Sequence, residues 1–289
     1  MKNIFLLILV CFGASVTSLP AQKKTAAPDI GVVQDLENDS LLHAYGYRYL
    51  VESTSKLFSP KKVSDQQFEA VLQSIKKLQT PLYGTNIFIP GELKVVGPVI
   101  DEKAVLSYVE VVFKRGHAAG IKLITWGSGG SRGVPEGFDR AKAKEQFVSI
   151  AGKIAALAKN YSITLALENL NSTECNFINT VVEAYDIVKA VDHENFRLCV
   201  DIYHMLKEGE SAAVIEKTKK YLVYCEIAER ENRTPPGVRG DDFKPYLQAL
   251  KKIGYQGKIV IECRWDDIRT QGASAYRYLH EQIMEVYKN

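Results

Sequence analysis

Paired cysteines at metal-binding spacing are missing from this chain. Its five cysteines include no Cys-x-x-Cys, which argues against a thiolate zinc site. Four of them, Cys175, Cys199, Cys225 and Cys263, are read as buried free thiols, because four cysteines in a large domain need not pair. Cys225 and Cys263 are expected side by side on neighbouring strands, without the torsion that a disulfide needs. Basic runs are equally scarce. No Lys/Arg stretch exceeds two or three residues and the net charge is only +3, so no nucleic-acid partner is expected. No Gly-x-Gly-x-x-Gly follows an early strand, which weighs against an open dinucleotide-binding sheet. Internal repeats and low-complexity segments are absent too. Beyond the first residues no apolar run approaches bilayer length, and stable membrane insertion is not expected.

What the chain does have begins with a leader. Met1-Lys2-Asn3 gives a positive start, Ile4 to Val10 an apolar core, and Leu19-Pro20-Ala21 a cleavage site before Gln22. Residues 1–21 therefore read as a signal peptide and the protein as secreted, with a periplasmic destination. The competing reading, a membrane anchor, needs a longer run. Residues 22–29 are polar and Pro/Ala-rich, a flexible lead-in, and residues 30–289 form one domain.

Within that domain strand-like and helix-like segments alternate without a break in composition. Strands are expected at 30–33, 48–52, 82–89, 122–126, 164–168, 197–201, 222–228 and 258–263. Helices are expected at 64–78, 101–119, 139–159, 179–191, 212–220, 242–253 and 275–287. The helix at 64 opens on Ser64-Asp65-Gln66-Gln67, a capping-box start, with Phe68, Leu72, Ile75 and Leu78 on one face. Eight strands, most followed by a helix, predict the α/β class and a single (β/α)8 TIM barrel. The glycine-rich stretch at 127–133 lacks a Gly-Lys-Ser/Thr ending and reads as a loop on the pocket rim.

Four consecutive strands share one ending. Leu165-Ala166-Leu167-Glu168, Leu198-Cys199-Val200-Asp201, Val223-Tyr224-Cys225-Glu226 and Ile259-Val260-Ile261-Glu262 each finish in an acid. Period-two alternation turns all four carboxylates toward the barrel axis. A barrel brings neighbouring strand ends together, and four crowded acids repel unless a cation sits among them. Glu168, Asp201, Glu226 and Glu262 are therefore the expected ligands of one divalent metal ion. An all-oxygen set favours Mn²⁺ or Mg²⁺ over Zn²⁺. Trp126 and Phe88, at the ends of strands four and three, are candidates for an apolar wall against a substrate ring, with a plain core position as the alternative.

These endings carry a resemblance. The chain resembles the xylose isomerase-like barrel superfamily, in particular the sugar phosphate isomerase/epimerase branch that includes the ketose 3-epimerases. Glu168, Asp201 and Glu262 match three of that branch's four metal ligands. Glu174 matches a second glutamate six residues after the first, and His204 a histidine three residues after the Asp. Arg233-Thr234-Pro235-Pro236-Gly237, Trp126-Gly127-Ser128-Gly129-Gly130 and Gly240-Asp241-Asp242-Phe243 also look like this branch. One position departs: relatives read His-Ile-Ala-Glu where this chain reads Glu226-Ile227-Ala228-Glu229.

The resemblance implies proton abstraction next to a carbonyl, with an enediolate intermediate. Glu168 and Glu262 would be the acid–base pair as well as ligands. It assigns Glu174, His204 and Arg233 to substrate binding. Plainer readings stand beside these: Glu174 as a solvated loop acid, His204 as a loop cap, and Arg233 paired on the surface with Glu229 or Glu231. The expected partner is a small-molecule carbohydrate, and export argues for an unphosphorylated one. A lyase or hydrolase of 3-keto-glycosides would use the same enolisation. A third enzyme reading, a DNA-repair endonuclease of the endonuclease IV kind, shares the barrel but needs histidines that are missing here. The non-enzyme alternative is a periplasmic sugar-binding protein inactivated by Glu226.

Overall fold

A computed structural model describes residues 26–288. The expected signal peptide and the first residues of the lead-in lie outside the described residues. The element order is β1 (Ile30–Val33), α1 (Asp39–Tyr45), β2 (Leu50–Ser53), α2 (Thr54–Leu57), α3 (Asp65–Ile75), β3 (Leu82–Asn86), α4 (Glu102–Ala118) and β4 (Leu123–Trp126). There follow α5 (Gly129–Arg132), α6 (Arg140–Asn160), β5 (Thr164–Glu168), α7 (Val181–Val191), β6 (Phe196–Asp201) and α8 (Ile202–Glu208). The chain closes with β7 (Leu222–Ile227), α9 (Lys244–Lys252), β8 (Lys258–Ile261) and α10 (Ile268–Tyr287). The eight strands are parallel and form a closed barrel in sequence order, sealed where Gly31 pairs with Val260 across β1 and β8.

Alternation along the strands divides the core in two. Tyr49, Val51, Leu123, Ala166, Cys199, Tyr224 and Val260 fill the barrel interior, while the opposite strand faces join the helices in the larger outer core. Gly31 belongs to the interior because a side chain there would collide with the Tyr49 ring. That ring crosses the barrel so that its hydroxyl donates to the Ile259 carbonyl at 2.7 Å. The capping box on α3 forms as expected, Ser64 accepting from the Gln67 amide and Gln67 from the Ser64 amide.

Several boundaries and placements differ from the sequence reading. Helices α1 and α8 were not expected, and α10 starts seven residues before 275. Gly272 stands inside α10, ahead of the expected start at 275, where Tyr45 and Tyr47 press against it. A Cβ there would crowd the Tyr45 ring, and the Gly272 carbonyl accepts the Tyr47 hydroxyl at 2.9 Å. The stretch at 127–133 winds into the single turn α5 rather than an open loop. Cys225 pairs with Ile259, and Ile227 with Ile261, so Cys263 lies further along the barrel axis and is not beside Cys225. All four described cysteines are free. No helix among the described residues is long and apolar enough to cross a membrane.

Candidate active site

The C-terminal ends of β5 to β8 deliver the four acids to one place. Glu168, Asp201 and Glu226 are the inward residues at or near the ends of β5, β6 and β7. Glu262 follows β8 directly, and its amide extends the ladder to the Ile227 carbonyl at 3.1 Å. One carboxylate oxygen from each lies within 4.8 Å of the others. Glu168, Asp201 and Glu226 are buried and Glu262 is partly exposed, so the cluster opens toward solvent on the β8 side.

Electrostatics in this cluster follow from burial and like charge. Burial drives the Glu168 carboxyl up to about 7, aided by Glu262 and Asp201 and opposed by His204. Burial likewise pushes Glu226 well above the usual carboxylate range, reinforced by the charges of Glu262, Glu168 and Asp201. A cation among these oxygens would relieve both costs. The donor set is all oxygen, buried on three sides and open on the fourth, and it fits a divalent ion that keeps a position for substrate.

Arg233 is the counter-charge. Its Nη2 donates to Glu262 Oε2 at 2.7 Å and to Asp201 Oδ2 at 3.3 Å, and its Nε to the Glu262 carbonyl at 3.1 Å. Nη1 stands 3.7 Å from Glu174 Oε1, and the guanidinium lies 4.7 Å over the Tyr203 ring. Burial works against its charge, but the surrounding carboxylates outweigh burial and hold its pKa above the ordinary arginine value. The surface pairing with Glu229 or Glu231 is thereby replaced. Glu229 is fully buried instead, and it accepts hydrogen bonds from the amides of Gly237, Arg239, Gly240 and Asp241 and from the Thr234 hydroxyl.

His204 both caps the loop that follows β5 and faces the carboxylates. Its Nδ1 accepts from the Asn171 backbone amide at 3.0 Å. That bond places the ring proton on Nε2, which stands 3.3 Å from Glu168 Oε1 and 3.4 Å from Asp201 Oδ2. Glu174 is at the rim, half-exposed, and takes the Asn171 side-chain amide at 3.1 Å.

Trp126 is not in the site. Leu123 and Thr125 point inward along β4, and Thr125 Oγ1 donates to Glu226 Oε1 at 3.4 Å. Parity therefore sends Trp126 outward, where it is fully buried among Phe88, Phe147 and Phe196 with ring centroids 5.6, 5.0 and 6.0 Å away. Phe88 is core as well.

Some supporting residues escaped the sequence reading. Asn86, at the end of β3, donates from Nδ2 to Glu262 Oε1 at 2.6 Å. Arg132 on α5, fully buried, donates to the Glu168 carbonyl at 2.8 Å and the Trp126 carbonyl at 3.2 Å. Asn169 accepts the Asp201 amide at 3.0 Å. Gly127 is required because a side chain there would strike Glu168 Oε2. The runs Glu168-Asn169-Leu170-Asn171 and Trp126-Gly127 were the available signals. Nothing in the sequence marked Asn86.

Comparison with known proteins places these features in a family context. The family model described as "Xylose isomerase-like TIM barrel" matches residues 40–284. The chain is 34% identical to the D-psicose 3-epimerase of Ruminiclostridium cellulolyticum over 119 residues, 41% of this chain and 40% of that protein. An inosose isomerase of Bacillus velezensis is 23% identical over 257 residues, 82% of this chain and 85% of the relative. The first curated relatives are matched over about half their length or less, 47% and 40%. Among solved structures, the 3-keto-D-glucoside 4-epimerase of E. coli superposes with a TM-score of 0.72 at 19% identity, covering 88% of this chain and 99% of that one. At that identity the likeness speaks for the fold.

Proposed function

The chain belongs to the xylose isomerase-like TIM barrel family, and on that premise we propose that it is a divalent-metal-dependent sugar isomerase or epimerase. The observation that carries this reading is the convergence of four carboxylates at one end of the barrel, with relatives named as sugar epimerases and isomerases in support. Glu168, Asp201, Glu226 and Glu262 would hold one ion, Mn²⁺ or Mg²⁺ by the chemistry of oxygen donors. When bound, such an ion polarises a substrate carbonyl and makes the neighbouring C–H more acidic.

This chain's own residues do the rest. Glu168, the inward residue at the end of β5, takes or returns the proton on one face of the sugar. Glu262, from the other end of the arc and steadied by Arg233 and Asn86, serves the opposite face. Delivery of a proton to the same carbon from the opposite face inverts it, whereas delivery to the neighbouring former carbonyl carbon, with the hydroxyl proton passing between the two oxygens, isomerises the sugar. Arg233, His204 and Glu174 orient hydroxyls, each presenting a polar atom at or near the four-acid cluster. The substrate is an unphosphorylated carbohydrate met outside the cytoplasm, a reading supported by the leader at residues 1–21.

The test is proton NMR in D₂O with Mg²⁺-loaded protein and a panel of ketoses and 3-keto-glycosides. Deuterium uptake next to the carbonyl with an intact skeleton is expected, abolished by Glu262→Gln. Uptake with loss of the aglycone would move the assignment to a lyase. No uptake with any member would favour the binding-protein reading.

A further inference from the structure

A pocket of about 390 Å³ lies beside the carboxylate cluster, at the ends of β1, β2, β3 and β8. One wall is Glu262 and Arg233. The others are Asn86, Glu52, Ile87 and Trp265, while Glu168, Asp201 and Glu226 do not line it. It therefore adjoins the reacting centre on its Glu262 side and extends from there toward β1 and β2. Its volume falls within the range of about 300–1,000 Å³ typical of small-molecule sites.

Three observations indicate what it holds. Asn86 is only 5% exposed. Its Nδ2 is engaged by Glu262, and its Oδ1 has no hydrogen-bond partner. Trp265, on the far wall, has a buried Nε1 that is also unpartnered. One is an acceptor and the other a donor, each costly to leave unmet. A sugar toward which these two side chains turn would satisfy both, because every hydroxyl donates and accepts. Trp265 also offers an apolar surface of the kind that covers the C–H face of a ring. Finally, Ile87 is 57% exposed and holds φ at 49°. A β-branched residue in the left-handed region is strained, and such strain gathers at ligand clamps. The floor is polar: Glu52 is buried, and Lys56 pairs with Asp35 beside it.

Resting on the isomerase/epimerase reading above, we propose that this pocket is a second sugar subsite and that the substrate is a two-ring glycoside. Its keto sugar lies at the four carboxylates and its other ring packs between Trp265 and Ile87. Free monosaccharides would leave Asn86 Oδ1 and Trp265 Nε1 unpaired.

Tryptophan fluorescence reports this directly, since the chain has two tryptophans and the other, Trp126, is sealed in the outer core. Mg²⁺-loaded protein titrated with trehalose, which carries no ketone and cannot react, should show a saturable emission change. By calorimetry trehalose should bind about tenfold more tightly than glucose. Trp265→Ala should remove that advantage and leave glucose binding unchanged. Lys56→Ala, on an exposed side chain, provides a second variant that should weaken trehalose selectively. Equal affinity for glucose and trehalose, or full trehalose affinity in both variants, would overturn the subsite. The two readings fail separately. Proton exchange in ketoses without a disaccharide preference sinks the subsite alone, whereas disaccharide preference without exchange upholds the subsite and sinks the reaction.

Discussion

Glu226 is the residue on which the chemistry of this site turns. It is fully buried, bonded only weakly by Thr125 at 3.4 Å and Cys199 at 3.3 Å, and faces three other acids. Replacing it by histidine would remove one negative charge and introduce an imidazole, a donor that suits zinc better than magnesium does. Glu226→His is therefore expected to raise zinc affinity at least about tenfold and to blunt the response to Mg²⁺. Metal titrations followed by calorimetry would show it, and an unchanged order of preference would remove Glu226 from the ligand set. At this scale the acids were legible, because a terminal carboxylate on an apolar strand has few other uses. Trp126 was misplaced for a definable reason. Its position at a strand end suggested the pocket, but parity with Thr125 turns it to the helices. Asn86 and Arg132 were illegible because a single polar residue carries no periodic signal.

Between β7 and α9 a loop is wound around one carboxylate. Glu229 takes four backbone amides and a hydroxyl from residues 234–241, at distances of 2.6–3.3 Å. Just ahead of them Asn232 and Arg233 hold φ values of 56° and 55°, a conformation that ordinary residues adopt only when their surroundings impose it. Glu229 is thus a positioning residue: it fixes the loop that sets the Arg233 guanidinium against Glu262. Glu229→Gln replaces one acceptor oxygen by a donor facing other donors. It should raise the substrate KM about tenfold, the order expected for a lost charge-assisted hydrogen bond. Magnesium affinity should stay within about twofold, since no ligand has moved. A parallel loss of metal affinity would instead mean that the barrel end itself had loosened. Elements with strong periodicity, such as α4, α6 and the acid-ended strands, were legible almost to the residue. Short α1 and α8, and the glycine-bearing start of α10, were not, because tertiary contacts rather than local pattern stabilise them.

The barrel as a whole was readable because its strands are buried on both faces and so appear as short apolar runs between amphipathic helices. Which residues on neighbouring strands stand opposite one another was not, since register depends on barrel shear and not on any one segment. The cysteines show the consequence. Cys225 pairs with Ile259, leaving Cys263 four residues on, roughly 13 Å along a strand, and beyond disulfide reach. Cys175, Cys199 and Cys225 are buried and Cys263 is partly so. Burial also pushes the thiols of Cys199, Cys225 and Cys263 well up, disfavouring the reactive thiolate. A chain beginning at Gln22 should therefore keep all four thiols even after passage through an oxidising compartment. Titration of the unfolded, unreduced protein with a thiol reagent should count four per chain, the same as after reduction. In the native state Cys263 should react first and slowly, while Cys199 and Cys225 should react only as fast as the barrel opens, at a rate that climbs with denaturant along the global unfolding transition. Prompt native reaction of Cys199 would mean that the barrel interior is reached by a local opening, and a count of two would mean that a disulfide forms despite the register.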